Sequence, residues 1–418
     1  MLFNLRKYLI LTIFISIFLF RYICIGDDEI RIDNIGIISF LDDENIVKVE
    51  ELYSSDIEIT NMIVTSDRGV LICEHLNMVK EDDKSSMINR YGIKVKQFND
   101  KWSKEWEVVI GKSVQNICKI VKEDSEHNYI IAGLSSDSVN WQSKRNIQVA
   151  CIDKTGKLKW VKKYGKKDRE ITYDIGGLEI VNKKYIFIGT EKNRIVYRRN
   201  GFLTIVNEDG SIYYEKIINL NDEIGIKILA SGSSDNRILL TGWSINKVII
   251  YLLNFNIVNN SLNCEYYIIN GNEGSIYRSN LFYLDSNTNK LVGGYTYGNS
   301  SIYKPFLMKI DNNSKVNWFL EFESKFTNCR PKGIVEVRNG EYLMYGNCST
   351  KDIKYNNSVF IIKISNDGKV NFMKIFKLDN KWLEIKKIEI NKEGELIGLF
   401  RKRNKGEVRS FIGRIEIK

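Results

Sequence analysis

Two stretches decide the reading of this 418-residue chain: Tyr129-Ile-Ile-Ala-Gly133 and, shortly after it, Val149-Ala-Cys-Ile-Asp153-Lys-Thr-Gly156-Lys-Leu-Lys-Trp160. The first is a short apolar strand ending in glycine. It returns as Tyr185-Ile-Phe-Ile-Gly189, Ile238-Leu-Leu-Thr-Gly242, Lys290-Leu-Val-Gly-Gly294 and Tyr342-Leu-Met-Tyr-Gly346, at glycine-to-glycine intervals of 56, 53, 52 and 52 residues. Leu71-Ile-Cys-Glu74 and Leu396-Ile-Gly-Leu399 extend the series upstream and downstream without the terminal glycine. Self-similarity at such a period marks a repeat architecture.

The second stretch keeps the same period. It returns as Phe202 to Tyr214 around Asn207-Glu-Asp-Gly210, as Phe306 to Trp318 around Asp311-Asn-Asn-Ser314, and as Ile361 to Phe372 around Ser365-Asn-Asp-Gly368. Asn, Asp and Gly tolerate the left-handed conformations that tight hairpins demand. The aromatic residue four positions past the turn is placed to pack against a neighbouring strand. Residues alternate in polarity through these copies, as in Lys157, Leu158, Lys159, Trp160, which is the strand period. Each unit of roughly 52 to 59 residues reads as four antiparallel strands, one blade of a propeller. Units start near residues 57, 114, 169, 223, 276 and 328, and a seventh begins near Trp382 and ends with its third strand, Ser410 to Lys418. Ile37 to Leu52 resembles the hairpin element, and its second half, Ile46 to Leu52, is placed to supply the missing strand and remove a sheet edge. The expected fold is therefore all-β: a seven-bladed β-propeller of four-stranded antiparallel blades over 57–418, its last blade closed by a strand from segment 27–56.

Composition agrees. Hydrophobic residues make up 43% and charged residues 27%, as in globular proteins, and only Pro305 and Pro331 interrupt a chain rich in Ile, Val, Tyr and Phe. Residues 1–26 read differently. Arg6 and Lys7 precede an apolar run from Tyr8 to Phe20, followed by Arg21 and the small residues Cys24 and Gly26. That is the pattern of a secretory signal peptide, with a retained membrane anchor over residues 8–25 as the alternative. The expected address is secreted or cell-envelope.

The Asp153-x-x-Gly156-x-x-x-Trp160 repeat, followed by Tyr164-Gly165 and preceded by Tyr129-Ile-Ile-Ala-Gly133, resembles the blades of bacterial quinoprotein-like (PQQ-like) propellers. It is also similar to propeller lipoproteins of envelope-assembly scaffolds. The resemblance implies fold and export. It lies in structural positions; Asp153 falls one residue closer to the glycine than in true quinoproteins, and no adjacent cysteine pair exists. No cofactor is expected.

Little else points to chemistry. His75 and His127 are the only histidines, no C-x-x-C spacing or phosphate-binding loop occurs, and Asp82-Asp83 is one acidic pair among many. No catalytic or metal residue is assigned. Cys73, Cys118 and Cys151 sit in apolar runs and read as small buried hydrophobes. Cys329 and Cys348 flank a hairpin turning at Asn339-Gly340, so a disulfide between them is expected. The binding candidates lie in the loops between second and third strands, which a propeller gathers on one face: Trp141, Arg145, Tyr197, Arg198, Trp243, Tyr297 and Tyr303. Aromatics beside arginine suit sugar-ring stacking or a protein hot spot. The formal charge of +10 favours anionic partners, although solvated lysines account for it equally. The sequence thus points to a monomeric, exported, non-catalytic binding or scaffold module. Its expected partner is an envelope protein or glycan, with no specific nucleic acid and with membrane contact only through the N-terminal segment. The alternative is an envelope enzyme acting on polysaccharide with carboxylates at the channel mouth.

Overall fold

The computed structural model describes residues 29–32, 36–39 and 47–417, apart from 79–89, 112–113, 138–144, 167–169, 194, 196–198, 219–225, 235–236, 245–248, 257, 259–260, 270–275, 298–301, 324–327, 338–339, 350–356, 377–381 and 405–406. The signal or anchor segment lies outside them.

All regular structure among the described residues is strand, apart from a residue at a hairpin turn. Three strands come first: β1 (Glu29–Ile32), β2 (Gly36–Ser39) and β3 (Val47–Ser55). Antiparallel sets of four follow: β4 to β7 (Ile59–Val64, Val70–Met78, Arg90–Phe98, Lys104–Ile110), β8 to β11 (Gln115–Glu123, Tyr129–Ser136, Asn146–Ile152, Leu158–Tyr164), and β12 to β15 (Ile171–Val181, Lys184–Asn193, Arg199–Val206, Ile212–Ile218). Next are β16 to β19 (Ile226–Ser234, Arg237–Ser244, Ile249–Asn256, Ser261–Ile269), β20 to β23 (Ile276–Leu284, Lys290–Tyr297, Tyr303–Ile310, Val316–Glu323) and β24 to β27 (Asn328–Val337, Glu341–Ser349, Asn357–Ile364, Val370–Phe376). The last three strands, β28 (Trp382–Ile390), β29 (Leu396–Asn404) and β30 (Glu407–Ile417), take β3 as their fourth. A single parallel pairing of Tyr303 with Asn328 links β20–β23 to β24–β27 in one sheet. The first strands of the sets pack side by side, β4 on β8, β8 on β12, and so on through β16, β20, β24 and β28, which packs back on β4.

Two features of the N-terminal segment depart from the sequence reading. β2 does not form a hairpin with β3; it adds in parallel to the outer edge of β23, while β1 adds in parallel to β19. The second half of that segment enters the last sheet as expected, as β3 against β30, from Val47 opposite Ile417 to Ser55 opposite Ser410.

The periodic glycine has a backbone cause. Each first strand carries a β-bulge, and the glycine closing the second strand lies opposite it: Gly133 opposite Cys118, Gly189 opposite Ile175, Gly242 opposite Ile228, Gly294 opposite Ser279 and Gly346 opposite Pro331. A bulge bends its strand and drives a carbonyl toward the partner. A Cβ at Gly133 would stand 1.8 Å from the Ile117 oxygen, and at Gly189, Gly294 and Gly346 it would meet the Asp174, Arg278 and Arg330 oxygens at 2.1, 2.0 and 2.2 Å. Only glycine fits. Pro331 is tolerated inside a strand because it sits at the bulge.

The turn-and-tryptophan element joins one set to the next. At Asp153 the carboxylate accepts from the amides of Thr155 (2.9 Å) and Lys157 (3.0 Å), which holds Gly156 at φ 85°. The Thr155 hydroxyl, which donates to the same carboxylate at 2.7 Å, does most to hold the Asp153 carboxyl below its ordinary pKa, and the amides add to it. The indole N–H of Trp106 then donates to the Lys154 carbonyl in this turn at 3.1 Å, and its ring covers Gly156. Trp160 repeats the contact on Glu208 (2.7 Å) over Gly210, and Trp318 on Asn366 (3.1 Å) over Gly368. Each tryptophan packs on the next set's turn, rather than on a strand alone. The return contact comes from tyrosines opening the second strands: Tyr185 donates to Asp124 at 3.0 Å and Tyr342 to Asp285 at 2.6 Å, each reaching the preceding set.

At the seam between β3 and β4–β7 the repeat breaks. The glycine position opposite the bulge is filled by Glu74, which is fully buried. Its carboxylate accepts from Ser55 (3.0 Å) and Tyr53 (3.3 Å) of β3 and pairs with Lys96 at 2.9 Å. Burial works against the Lys96 ammonium, but the Glu74 and Tyr53 oxygens outweigh it and leave its pKa above the ordinary value.

Two outcomes follow for stability. Gly133→Ala loses about 3 kcal/mol, the upper end of overpacking costs, in chemical denaturation. Tyr342→Phe strips Asp285 of one of its donors beside the buried Lys309 (3.5 Å) and costs about 1–3 kcal/mol at pH 7. Burial raises the Asp285 pKa, but Tyr342, Asn289 and Lys309 more than offset it and hold the folded value below the usual carboxylate range. The stabilisation is therefore present above that range and is lost as pH falls through the folded pKa. The deficit of the variant, read from denaturation curves, is full at neutral pH and shrinks under acid.

Candidate functional site

The strand ends on the side away from the Asp-x-x-Gly turns gather in the sector of β20 to β25. Ile276 pairs with Tyr297, Tyr297 with Tyr303, Tyr303 with Asn328, and Asn328 with Ser349, so residues distant in sequence share one rim. Tyr297 and Tyr303 come together with ring centroids 5.7 Å apart, and Tyr295 meets Tyr303 edge-on at 5.1 Å. Two arginines of the first strands use these rings. The Arg278 guanidinium lies 4.5 Å from the Tyr297 ring centre, and the exposed Arg330 lies 4.1 Å from that of Tyr303 and 5.7 Å from that of Tyr295. The aromatic faces therefore hold arginines in place. That differs from the sugar-stacking use expected of them, in which the rings themselves face a ligand.

Beside this cluster lies a pocket of about 300 Å³, lined by Asn328, Arg330, Lys332, Asn347, Cys348, Ser349 and Glu384. Its walls are fixed covalently and by hydrogen bonds. Cys329 and Cys348, directly paired across β24 and β25, are joined in a disulfide with Cα atoms 4.1 Å apart. The Asn347 side chain donates to the Ile385 carbonyl (3.0 Å) and accepts from the Ile385 amide (2.8 Å), tying β25 to β28. Glu384 is paired with Lys386 at 3.0 Å. Loss of hydration lowers the Lys332 pKa below the ordinary lysine value; Glu384 opposes this, and the neighbouring cations Lys386 and Arg330 add to it.

The remaining sequence candidates are not assembled with these. Arg145 belongs to the β8–β11 set, where its carbonyl accepts from the Tyr173 amide at 3.2 Å. Trp243 stands at the same end of β17, opposite Lys227, and its side chain lies outside the described residues. Trp141, Tyr197 and Arg198 also lie outside them, as does Asp82-Asp83. His75 lies inside β5, opposite Ile93, and burial lowers its pKa. His127 occupies a turn at φ 61°, its Nδ1 2.8 Å from Glu123. Sequence reading missed Arg278, Tyr295, Arg330 and Lys332 because it searched loops. The usable signal was their place at a bulge: Arg278 and Arg330 come one residue before the residue opposite a periodic glycine (Ser279 opposite Gly294, Pro331 opposite Gly346), and Lys332 comes one after it.

Cys329 and Cys348 are joined in a buried disulfide, so neither presents a thiol in the native protein, and peptide mapping without reductant recovers the 329–348 pair. Replacing both by alanine lowers stability by about 3 kcal/mol in chemical denaturation, the order expected for releasing a 19-residue separation. It also loosens the pocket wall.

No family model and no curated protein matches this chain. Solved structures do. The β-propeller domain of the Trilobed protease from Pyrococcus furiosus aligns with a TM-score of 0.51 at 12% identity, covering 88% of this chain and 96% of that one. A protein from Lactobacillus plantarum aligns at 0.47 and 10% identity, covering 76% and 84%, and a duf4221 member from Bacteroides vulgatus at 0.44 and 11%, covering 73% and 98%. At such identities the likeness to the Pyrococcus domain concerns architecture alone, and with the four-stranded antiparallel sets it makes this chain an all-β protein of the propeller kind.

Proposed function

We propose that this chain is an exported, non-catalytic binding or scaffold module: a seven-bladed propeller that presents its loop rim to a protein or glycan partner of the cell envelope. The cyclic packing of first strands, β28 returning to β4, supports the blade count and the closure by β3. The Cys329–Cys348 disulfide and the signal-like residues 1–26 support an oxidising compartment outside the cytoplasm. The quinoprotein-like reading of the blades is supported by the recurrence of one turn-and-tryptophan contact at the residues that carry the resemblance.

One observation carries the functional reading: Arg330 and Arg278 are held over Tyr303 and Tyr297 on a single rim, the pairing of guanidinium and aromatic side chains that dominates recognition hot spots. The enzyme alternative draws less support. Glu384 is engaged by Lys386, and the buried Glu191 accepts from Tyr173 (3.0 Å) and pairs with Lys166 (3.1 Å), so these carboxylates serve structural partners.

The test is retention of envelope material from the source organism by the full-length chain purified in detergent. Wild-type protein is expected to retain it, and Tyr297→Ala with Tyr303→Ala to weaken retention by about tenfold, the scale of a lost hot spot. Lys154→Glu, on the opposite turns, is expected to leave it unchanged. Loss after protease treatment of the envelopes identifies a protein partner, and survival a glycan. No retention by the wild type contradicts the reading.

A further inference from the structure

Arg330 and Lys332 flank Pro331 on β24 and both line the pocket of about 300 Å³. Elsewhere, cations in comparable settings meet carboxylates: Lys122 meets Glu179 at 2.8 Å, Lys166 meets Glu191 at 3.1 Å, Lys363 meets Glu341 at 2.6 Å and Lys309 meets Asp285 at 3.5 Å. Among the described residues neither Arg330 nor Lys332 has a carboxylate within ion-pair distance. The one acid in the pocket, Glu384, is already neutralised by Lys386. Two exposed positive charges thus share one polar pocket with no ion-pair partner of their own among the described residues, which suits an anionic visitor.

The way Arg330 is held defines what that visitor presents. The Arg330 guanidinium is held over the Tyr303 ring at 4.1 Å, and an arginine so placed has N–H groups to offer for a bidentate grip on an oxyanion. Lys332 adds a second donor as a point charge. The rest of the lining is polar, with Asn328 and Ser349 at one wall and the Glu384 carboxylate as a hydrogen-bond acceptor at another. Two cations beside a Glu384 already paired with Lys386 match a single acidic group, and the polar lining matches several hydroxyls. About 300 Å³ is the low end of small-molecule sites and suits one ring. The disulfide and the Asn347 bridge to Ile385 hold the walls before the ligand arrives, which lowers the ordering cost of binding.

We propose that this pocket is an oxyanion site for a single acidic sugar residue. Arg330 grips two oxygens of its carboxylate or phosphate, Lys332 neutralises the group, and Glu384 accepts from a ring hydroxyl. This rests on the binding-module reading and names the ligand class of that rim.

Calorimetric titration of the full-length chain in detergent tests it, with glucuronate for the carboxylate source, glucose 6-phosphate for the phosphate source and glucose as the neutral control. At least one acid is expected to bind, with glucose weaker by about tenfold or more. Arg330→Ala weakens the acid by about tenfold, Lys332→Met by roughly threefold, and Arg330→Lys falls between wild type and Arg330→Ala because it keeps charge but loses the fork. A tenfold rise in salt weakens binding further, as roughly expected for an open charged site. Binding of glucuronate alone assigns the carboxylate source, and of glucose 6-phosphate alone the phosphate source. Lys332 is exposed, so Lys332→Met tests the site even where Arg330→Ala, which unstacks Tyr303, lowers the melting temperature. The proposal is overturned by no affinity for either acid, by equal affinity for glucose, or by native-like binding in both Arg330→Ala and Lys332→Met. Envelope retention by wild type without affinity for either acid sinks the site and leaves the module reading standing. Acid binding without envelope retention does the reverse.

Discussion

A ring of sheets is only as stable as its seam, and here the seam is made from the two ends of the chain. β3 pairs with β30 over the length from Val47–Ile417 to Ser55–Ser410, and Ser410 also caps the Ile59 amide that begins the next set. The contact therefore spans more than 350 residues of sequence, so its loop-closure cost is met only once the intervening strands are in place. Glu74 belongs to this account. Where five other sets carry glycine, the first carries a buried carboxylate whose hydrogen bonds come from Tyr53 and Ser55 of the closing strand and whose charge is met by Lys96. A buried pair of this kind is weak as a source of net stability but strict about partners, since removing β3 leaves a carboxylate half satisfied. The polar contact thus specifies which strand closes the sheet, while the apolar side chains packed around it, Leu52, Tyr53 and Met62 among them, supply the driving force.

Between seam and seam the units are tied by local, repeated contacts. A bulge fixes the glycine, the glycine turn admits the tryptophan, and the tyrosine of the following set reaches back to the aspartate of the one before. Those positions were legible because each is forced by backbone or by a directional hydrogen bond, so its residue type cannot drift. The same logic made the disulfide readable, since a hairpin turning at Asn339-Gly340 places Cys329 opposite Cys348 in register. β1 and β2 were not legible. They are four residues each, pair in parallel with strands more than two hundred residues away, and leave no local periodicity to detect.

The candidate site was legible in part for a related reason. Tyr297 and Tyr303 stand at loop boundaries and were recognised as exposed aromatics; Arg278, Arg330 and Lys332 sit within strands, where alternation makes charged residues look like ordinary solvent-facing positions. What gathers them is the pairing of three strand ends on one rim together with bulges that redirect side chains from the first strands. Arg145 and Trp243, equally plausible from sequence, belong to other sets. Clustering is a property of tertiary register, which spacing along the chain does not encode.

The seam is best tested by hydrogen exchange on the full-length chain, read peptide by peptide. If β3 closes the last sheet, the amides of 47–55 that face β30 exchange together with their partners in 407–417, as slowly as those of the equivalent outer strand Leu158–Tyr164. Rapid exchange over 47–55 alongside slow exchange in β28 and β29 would mean that the N-terminal strand is not part of the fold, and the closure described here would be wrong.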